Sequence, residues 1–241
     1  MSEMSKEFLE IRKAFVDSPS NCANINWETF FAANDPGNIW SANQDPDVHV
    51  KWFLKHYNFP TCYQNNITVL DSGCGEGKNI RLLEQFDNVY GSDISQTAIN
   101  NAQKEYPNVN FSAQDAAYLN FTNEMFDVII DAGCLHCNHP MQHQKIINQY
   151  HRILRPTGKL FFRLFHVPDE YQNDNTIPIF YFDLGDDQFM TGVKGKIPVY
   201  GLNHALIKKL IDGLFNPDEV LWDTSYDSNG VHYIYFSKIN T

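Results

Sequence analysis

No stretch of this chain approaches the roughly 18 consecutive apolar residues of a membrane-spanning helix, and its opening residues, Met1-Ser-Glu-Met-Ser-Lys-Glu7, hold no apolar leader core. No membrane partner is expected, and the expected compartment is the cytosol. Cysteine is scarce: Cys22, Cys62, Cys74, Cys134 and Cys137 are odd in number and irregularly spaced, which argues against a secreted disulfide framework and leaves thiols. Positive charge is also short. Lys and Arg number 18 against 29 Asp and Glu, a formal charge of −11, and proteins that neutralise phosphates seldom carry that balance, so nucleic acid is not an expected partner. Internal repeats and low-complexity tracts are missing as well.

What is present is an ordinary globular composition, 43% hydrophobic and 20% charged over 241 residues, enough for one core in a single domain, 1–241. Residues 1–60 form an aromatic, partly helical arm, with a helix at Lys6–Val16, an irregular stretch Trp27–Asp47 broken by Asp35-Pro-Gly37 and Asp45-Pro46, and a helix at Val48–Tyr57. Residues 61–165 alternate short β-branched or aromatic runs with helical stretches, the pattern of stacked βαβ units. Strands are expected at Ile67–Asp71, Asn88–Asp93, Val109–Ala113, Phe126–Ala132 and Gly158–Phe165, and helices at Lys78–Gln85, Gln96–Glu105 and Met141–Leu154. Arg155-Pro-Thr-Gly158 reads as the turn before the fifth strand. The alternation lapses over 166–202, where Tyr171, Phe180, Tyr181, Phe182 and Phe189 suggest a cap over a site. Residues 203–241 read as a final helix, Asn203–Leu214, and two strands, Glu219–Trp222 and Val231–Ser237.

The chemistry concentrates in Val69-Leu-Asp-Ser-Gly-Cys-Gly-Glu-Gly-Lys78. A hydrophobic strand ends at Asp71, Gly73, Gly75 and Gly77 follow at alternate positions around Cys74, and a helix begins. Glycines alone also fit a plain strand-to-helix turn; their use at a site is to let the backbone approach a ligand. The spacing is G-x-G-x-G, so the dinucleotide fingerprint G-x-G-x-x-G is not met. Asp93 closes the second strand, where a carboxylate can accept from both hydroxyls of a ribose. Asp115 follows the third strand, where it can accept from an exocyclic adenine amine.

Val69–Lys78, Tyr90–Ser95, Phe111–Ala116, Phe126–Ala132 and Leu154–Phe162, in that order, resemble the successive motifs of class I S-adenosylmethionine-dependent methyltransferases. The resemblance implies a Rossmann-like, doubly wound α/β fold: a seven-stranded, mostly parallel sheet with one antiparallel strand and helices on both faces. It implies S-adenosylmethionine as cofactor and S-adenosylhomocysteine as product. Asp71, Gly73 and the Ala132-Gly133 backbone would meet the methionine moiety, Asp93 the ribose, and Ile94, Asp115 and Ala116 the adenine. The arm, Trp27-Glu-Thr-Phe-Phe31 with Ile39-Trp40-Ser41, resembles that of small-molecule methyltransferases of the thiopurine and tellurite-resistance type, which would bring Trp40 over the cofactor.

The loop Asp131-Ala-Gly-Cys-Leu-His-Cys-Asn-His139 offers Cys134, His136, Cys137 and His139, with His143 beyond, as soft ligands of the kind zinc takes. Only one Cys-x-x-Cys is present and no second pair closes a tetrahedron, so no metal is expected. The resemblance makes this loop a wall of the donor-methyl pocket, without the Pro-Pro turn of enzymes that methylate exocyclic adenine or glutamine amides. The reading is therefore methyl transfer to a small-molecule acceptor, with His136 or His139, near pKa 6.5, as the base where the acceptor must lose a proton. A peptide methyltransferase and a non-catalytic cofactor-binding regulator are the alternatives.

Overall fold

The structure is a computed structural model; it describes residues 26–33, 41–42, 44–56, 66–165, 179–183, 196–223 and 231–238. The expected helix at Lys6–Val16, Trp40 and most of the cap lie outside the described residues.

Five strands, β1 (Thr68–Ser72), β2 (Asn88–Asp93), β3 (Asn110–Ala113), β4 (Phe126–Asp131) and β5 (Leu154–Phe165), run parallel to one another. Two later strands, β8 (Phe215–Asp223) and β9 (Val231–Lys238), extend the sheet in the order β3-β2-β1-β4-β5-β9-β8. In that order β9 is antiparallel to both β5 and β8. The mostly parallel α/β sheet expected from the sequence is thus present. A separate two-stranded antiparallel hairpin, β6 (Ile179–Asp183) with β7 (Lys196–Tyr200), stands where the cap is expected.

Alternate residues of the central strands feed two cores. Leu70, Ile129, Leu160 and Phe162 pack on one side against α5 (Pro140–Ile153) and α6 (His204–Ile211). Val69, Val128, Ile130 and Phe161 pack on the other against α2 (Val48–His56) and the short α3 (Ile80–Leu83). Strands covered on both faces must read as continuous apolar runs, and Val-Leu and Val-Ile-Ile do. A fifth core helix, α4 (Gln96–Glu105), begins at the Ser95 N-cap, whose hydroxyl accepts from the Ala98 amide at 3.1 Å, and buries Ala98, Ile99 and Ala102 at helical spacing. Among the described residues no helix is long and apolar enough to cross a membrane.

Three expectations change. The arm segment from Trp27 is regular at its start: α1 (Trp27–Ala32) is capped by Asn26, whose Oδ1 accepts from the Thr29 amide at 2.8 Å, and it buries Phe30 and Phe31. The helix expected from Lys78 begins only at Ile80, because the last residues of the glycine turn are still turning and Asn79 spends its side chain on the Asp47 amide, 2.9 Å away. The turn at 155–158 is a bulge inside β5 and not its boundary: Leu154 pairs with Phe126 and Lys159 with Val128, so the intervening residues loop out, with Thr157 at φ 64°.

The order places β1 between β2 and β4. The chain winds outward from β1 to β3 and then returns across β1 to β4, so a crevice opens at the carboxyl ends of β1 and β4, where ligands bind in open α/β sheets.

Candidate functional site at the carboxyl ends of the strands

Leaving β1, the chain turns sharply over β2. The Gly73 and Cys74 amides donate to the Ser92 carbonyl at 2.7 and 3.0 Å, and the Gly75 amide donates to Asp93 Oδ2 at 2.9 Å. Gly73 has φ 73°, and a Cβ there would stand 2.6 Å from Cys134 Cβ. Only glycine passes between β1 and the loop after β4. Gly75 and Gly77 complete the turn, the buried Cys74 thiol points toward Gly91, and the Cys74 carbonyl accepts from the Gly77 amide at 2.9 Å.

Asp93 is held from two sides: besides the Gly75 amide, its Oδ1 accepts from the Ser95 amide at 2.9 Å. Its carboxyl is raised by burial, with those amides opposing. Ile94, next in the chain, is 58% exposed, an aliphatic surface beside the crevice. The Gln114 amide donates to the Asp93 carbonyl at 2.8 Å and carries the end of β3 alongside. There Asp115 caps the short 3-10 turn at Ala116–Tyr118 through the Ala117 amide, 2.8 Å, with Ala116 buried. The fold therefore gathers Asp71, Gly73, Gly75, Asp93, Ile94, Asp115 and Ala116 at the ends of three adjacent strands.

The organiser of the opposite wall is Asp131, a residue given no role from sequence. Its carboxylate accepts from the amides of Gly133 (3.2 Å), Cys134 (2.7 Å) and Leu135 (3.0 Å) and from the Tyr150 hydroxyl (2.9 Å), which also lies 3.0 Å from Ser72 Oγ. These bonds shape the loop that presents Ala132 and Gly133. The available signal was its repetition of Asp71: an aspartate at the end of a buried strand with glycine two residues on. Burial lifts the Asp131 carboxyl to about 6.

Asp71 is in a harder position. It is 1% exposed, its Oδ2 is buried without a hydrogen-bond partner, and burial, then Asp131 and Asp93, push its carboxyl up to about 8. Buried polar atoms are almost always satisfied, and the exceptions ask for an explanation. A cationic ligand on the crevice side of Gly73 answers the orphaned oxygen and the three neighbouring carboxyls together. A methionine ammonium beside a sulfonium has that chemistry, and the Asp93 carboxylate with the open aliphatic face of Ile94 could hold the nucleoside part.

Beyond Gly133 lies a second, differently charged wall. A Cβ on Gly133 would come 3.6 Å from His136 Cε1 and 3.9 Å from Arg163 Nη1. Arg163 is tied to Asp47 at 3.1 Å, the same carboxylate that caps α2 through the His49 amide at 2.8 Å. Lys78 stands half-buried near Arg163, and burial followed by that guanidinium lowers its ammonium.

His136 is buried, its Nδ1 accepts from the Phe165 amide at 3.1 Å, and burial, then Arg163, hold it near pKa 3. A ring this buried, with its acceptor nitrogen engaged, stays neutral and cannot titrate near 6.5, which corrects the expectation of His136 as a base. His139 is the N-cap of α5, with Nδ1 3.3 Å from the Met141 amide, and is exposed. The His143 ring holds the Asn138 carbonyl at 2.8 Å. Tyr200, at the end of the cap hairpin, meets both: its ring lies edge-on to His139 at 5.7 Å and to His143 at 6.3 Å. Among the described residues no three His, Cys, Asp or Glu side chains converge as metal ligands.

Comparison with known proteins agrees with this fold. The model of a methyltransferase domain matches residues 69–158. An uncharacterised methyltransferase of Schizosaccharomyces pombe is 35% identical over 102 residues, which span 40% of this chain and 70% of that protein. Another from Synechocystis is 32% identical over 104 residues, 43% of this chain and 49% of that one. Among solved structures, the 1,6-didemethyltoxoflavin-N1-methyltransferase of Burkholderia thailandensis, with its substrate and S-adenosylhomocysteine bound, superposes with a TM-score of 0.60 at 18% identity, covering 100% of this chain and 92% of that one. The N-methyltransferase NodS of Bradyrhizobium japonicum, bound to S-adenosylhomocysteine, gives 0.55 at 16% identity, covering 88% of this chain and 100% of that one.

Proposed function

The chain belongs to the class I S-adenosylmethionine-dependent methyltransferases, and from that premise we propose that it methylates a small molecule held between the loop after β4 and the cap hairpin. S-adenosylmethionine is its cofactor and, when bound, supplies an electrophilic methyl group on a sulfonium for in-line displacement. The observation that carries the small-molecule reading is the seating of Tyr200 against His139 and His143, which puts the hairpin beside the wall formed by Gly133, His136 and Arg163. A wall with an aromatic ring and a few polar groups suits a planar or apolar ligand with a few polar anchors. The Burkholderia thailandensis enzyme, whose fold this chain shares, holds a small molecule, 1,6-didemethyltoxoflavin, beside S-adenosylhomocysteine.

In this reading the protein contributes alignment and exclusion of water, not proton removal. Asp71 and the Gly73 turn hold the methionine end, Asp93 the ribose, and Ile94 with Asp115 and Ala116 the adenine. His136 presents a neutral ring to the acceptor and Arg163 a guanidinium that favours an electron-rich or anionic nucleophile. His139, exposed at the helix N-terminus, is the remaining histidine on the acceptor side. The aromatic arm, in the manner of the thiopurine and tellurite-resistance type, closes the opposite side. The free thiols Cys74, Cys134 and Cys137 support a cytosolic setting.

The test is transfer of a labelled methyl group from S-adenosylmethionine into a fractionated cell extract. Label is expected in the low-molecular-weight fraction. Label confined to protein favours a peptide acceptor, and tight cofactor binding with no transfer to any fraction favours a regulatory role; either result overturns the proposal.

A further inference from the structure

Glu28 is the acidic residue of α1, and it reaches out of its own helix. Its Oε2 accepts from the Ser95 hydroxyl at 2.7 Å and from the Thr97 amide at 3.2 Å, while Oε1 accepts from the Thr97 hydroxyl. All three donors sit at the start of α4, where unfilled amides and the helix dipole favour an anion. Those hydrogen bonds, the Thr97 hydroxyl first and then Ser95, hold the Glu28 carboxyl below its ordinary value.

The contact falls two residues from the ribose carboxylate. Ser95 is shared between both sides: its amide donates to Asp93 Oδ1 at 2.9 Å, and its hydroxyl accepts from the Ala98 amide at 3.1 Å while donating to Glu28. Asp93 grips the turn from the crevice, Glu28 grips it from outside, and the exposed Ile94 stands between them. The helix that carries Glu28 is itself seated by Phe30 and Phe31, both buried, with ring centroids 5.1 Å apart. A turn held in this way cannot shift Asp93 or Ile94 without disturbing α1.

We propose that α1 is a clasp on the cofactor site, in which Glu28 is a positioning residue that couples docking of the arm to cofactor binding through the Ser95–Thr97 turn. The clasp concerns the cofactor half of the site and is independent of which acceptor is methylated. Such coupling is reciprocal: if the docked arm favours the cofactor, the cofactor favours the docked arm by the same factor.

The experiment uses the full chain and S-adenosylhomocysteine as probe, with calorimetric titration and amide hydrogen exchange read by mass spectrometry in wild type, Glu28→Ala and Glu28→Gln. In wild type the probe is expected to slow exchange across residues 27–33. In Glu28→Ala its Kd should rise roughly tenfold, within the span typical of coupled sites, and the slowing should vanish. Glu28→Gln, which keeps an acceptor oxygen, should fall between. Thr97→Val removes a partner from the other side; it should weaken binding in the same direction and add little on top of Glu28→Ala, because both break one contact. An unchanged Kd in Glu28→Ala, or exchange in α1 that ignores the probe in wild type, overturns the clasp.

Discussion

Asp71→Asn separates two consequences of one buried carboxyl. In the folded chain burial, then Asp131 and Asp93, move that group from 3.8 up to about 8. The unfolded chain releases the proton near pH 4 while the folded chain keeps it to about 8, so folding takes up a proton in this window and stability falls as pH rises through it. At pH 7 the mismatch is about three pH units, and at about 1.4 kcal/mol per unit it costs on the order of 4 kcal/mol. Asparagine fills the same volume with no charge to desolvate. The cofactor-free variant should therefore melt higher than wild type by roughly 8–16 °C at pH 7, and the gap should widen from pH 5 to pH 8. Binding should move the other way, because asparagine, unlike the Asp71 carboxyl, cannot give up a proton to meet the ligand's ammonium: about 2 kcal/mol, or roughly 30-fold in Kd for S-adenosylhomocysteine. Thermal melts at pH 5, 7 and 8 with calorimetry of the nucleoside read both effects. A variant that melts at or below wild type, with a difference that does not change with pH, would show that Asp71 is already satisfied in the free protein and that its orphaned oxygen is no sign of a cationic ligand.

Asp93→Ala leaves the Gly75 and Ser95 amides without their acceptor and removes the proposed ribose partner, so calorimetry should show cofactor binding weakened by about 1.5–3 kcal/mol with the fold retained; normal affinity would mean that the ribose lies elsewhere. Gly73→Ala combines a φ of 73° with a Cβ 2.6 Å from Cys134 Cβ, and backbone strain with overpacking should lower stability by about 2–4 kcal/mol in denaturant melts. Restoration by Gly73→Ala with Cys134→Gly would confirm the clash as the cause, and a silent single variant would refute it. His136, held near pKa 3 by burial, should add no inflection to the methyl-transfer rate between pH 5 and 8. A limb near 6.5 that disappears in His136→Asn would return it to the role of base.

The residues themselves determined the βαβ order and the gathering of the glycine turn, Asp93 and Asp115 at the strand ends. Val69–Asp71 and Val128–Asp131 are apolar runs that each end in an aspartate with a glycine two residues on, and such runs are stable only between two helical layers, so they announce a parallel sheet before any contact is known. The glycine turn, Asp93 and Asp115 were legible for the same local reason: each follows directly on its own strand, and strand ends in this fold all face one crevice. What required the tertiary structure is whatever depends on the partner. Glu28 lies 67 residues before Ser95 along the chain and Asp47 far before Arg163, and nothing local in either pair points to the other. The protonation of the site was hidden likewise. His136 has an ordinary value as a free ring and a value near 3 only once β5 closes over it, and Asp71 is an ordinary acid until Asp93 and Asp131 are folded beside it out of water. Burial and charge proximity are properties of three-dimensional neighbours, so the chain carried the list of groups while the fold set their charges.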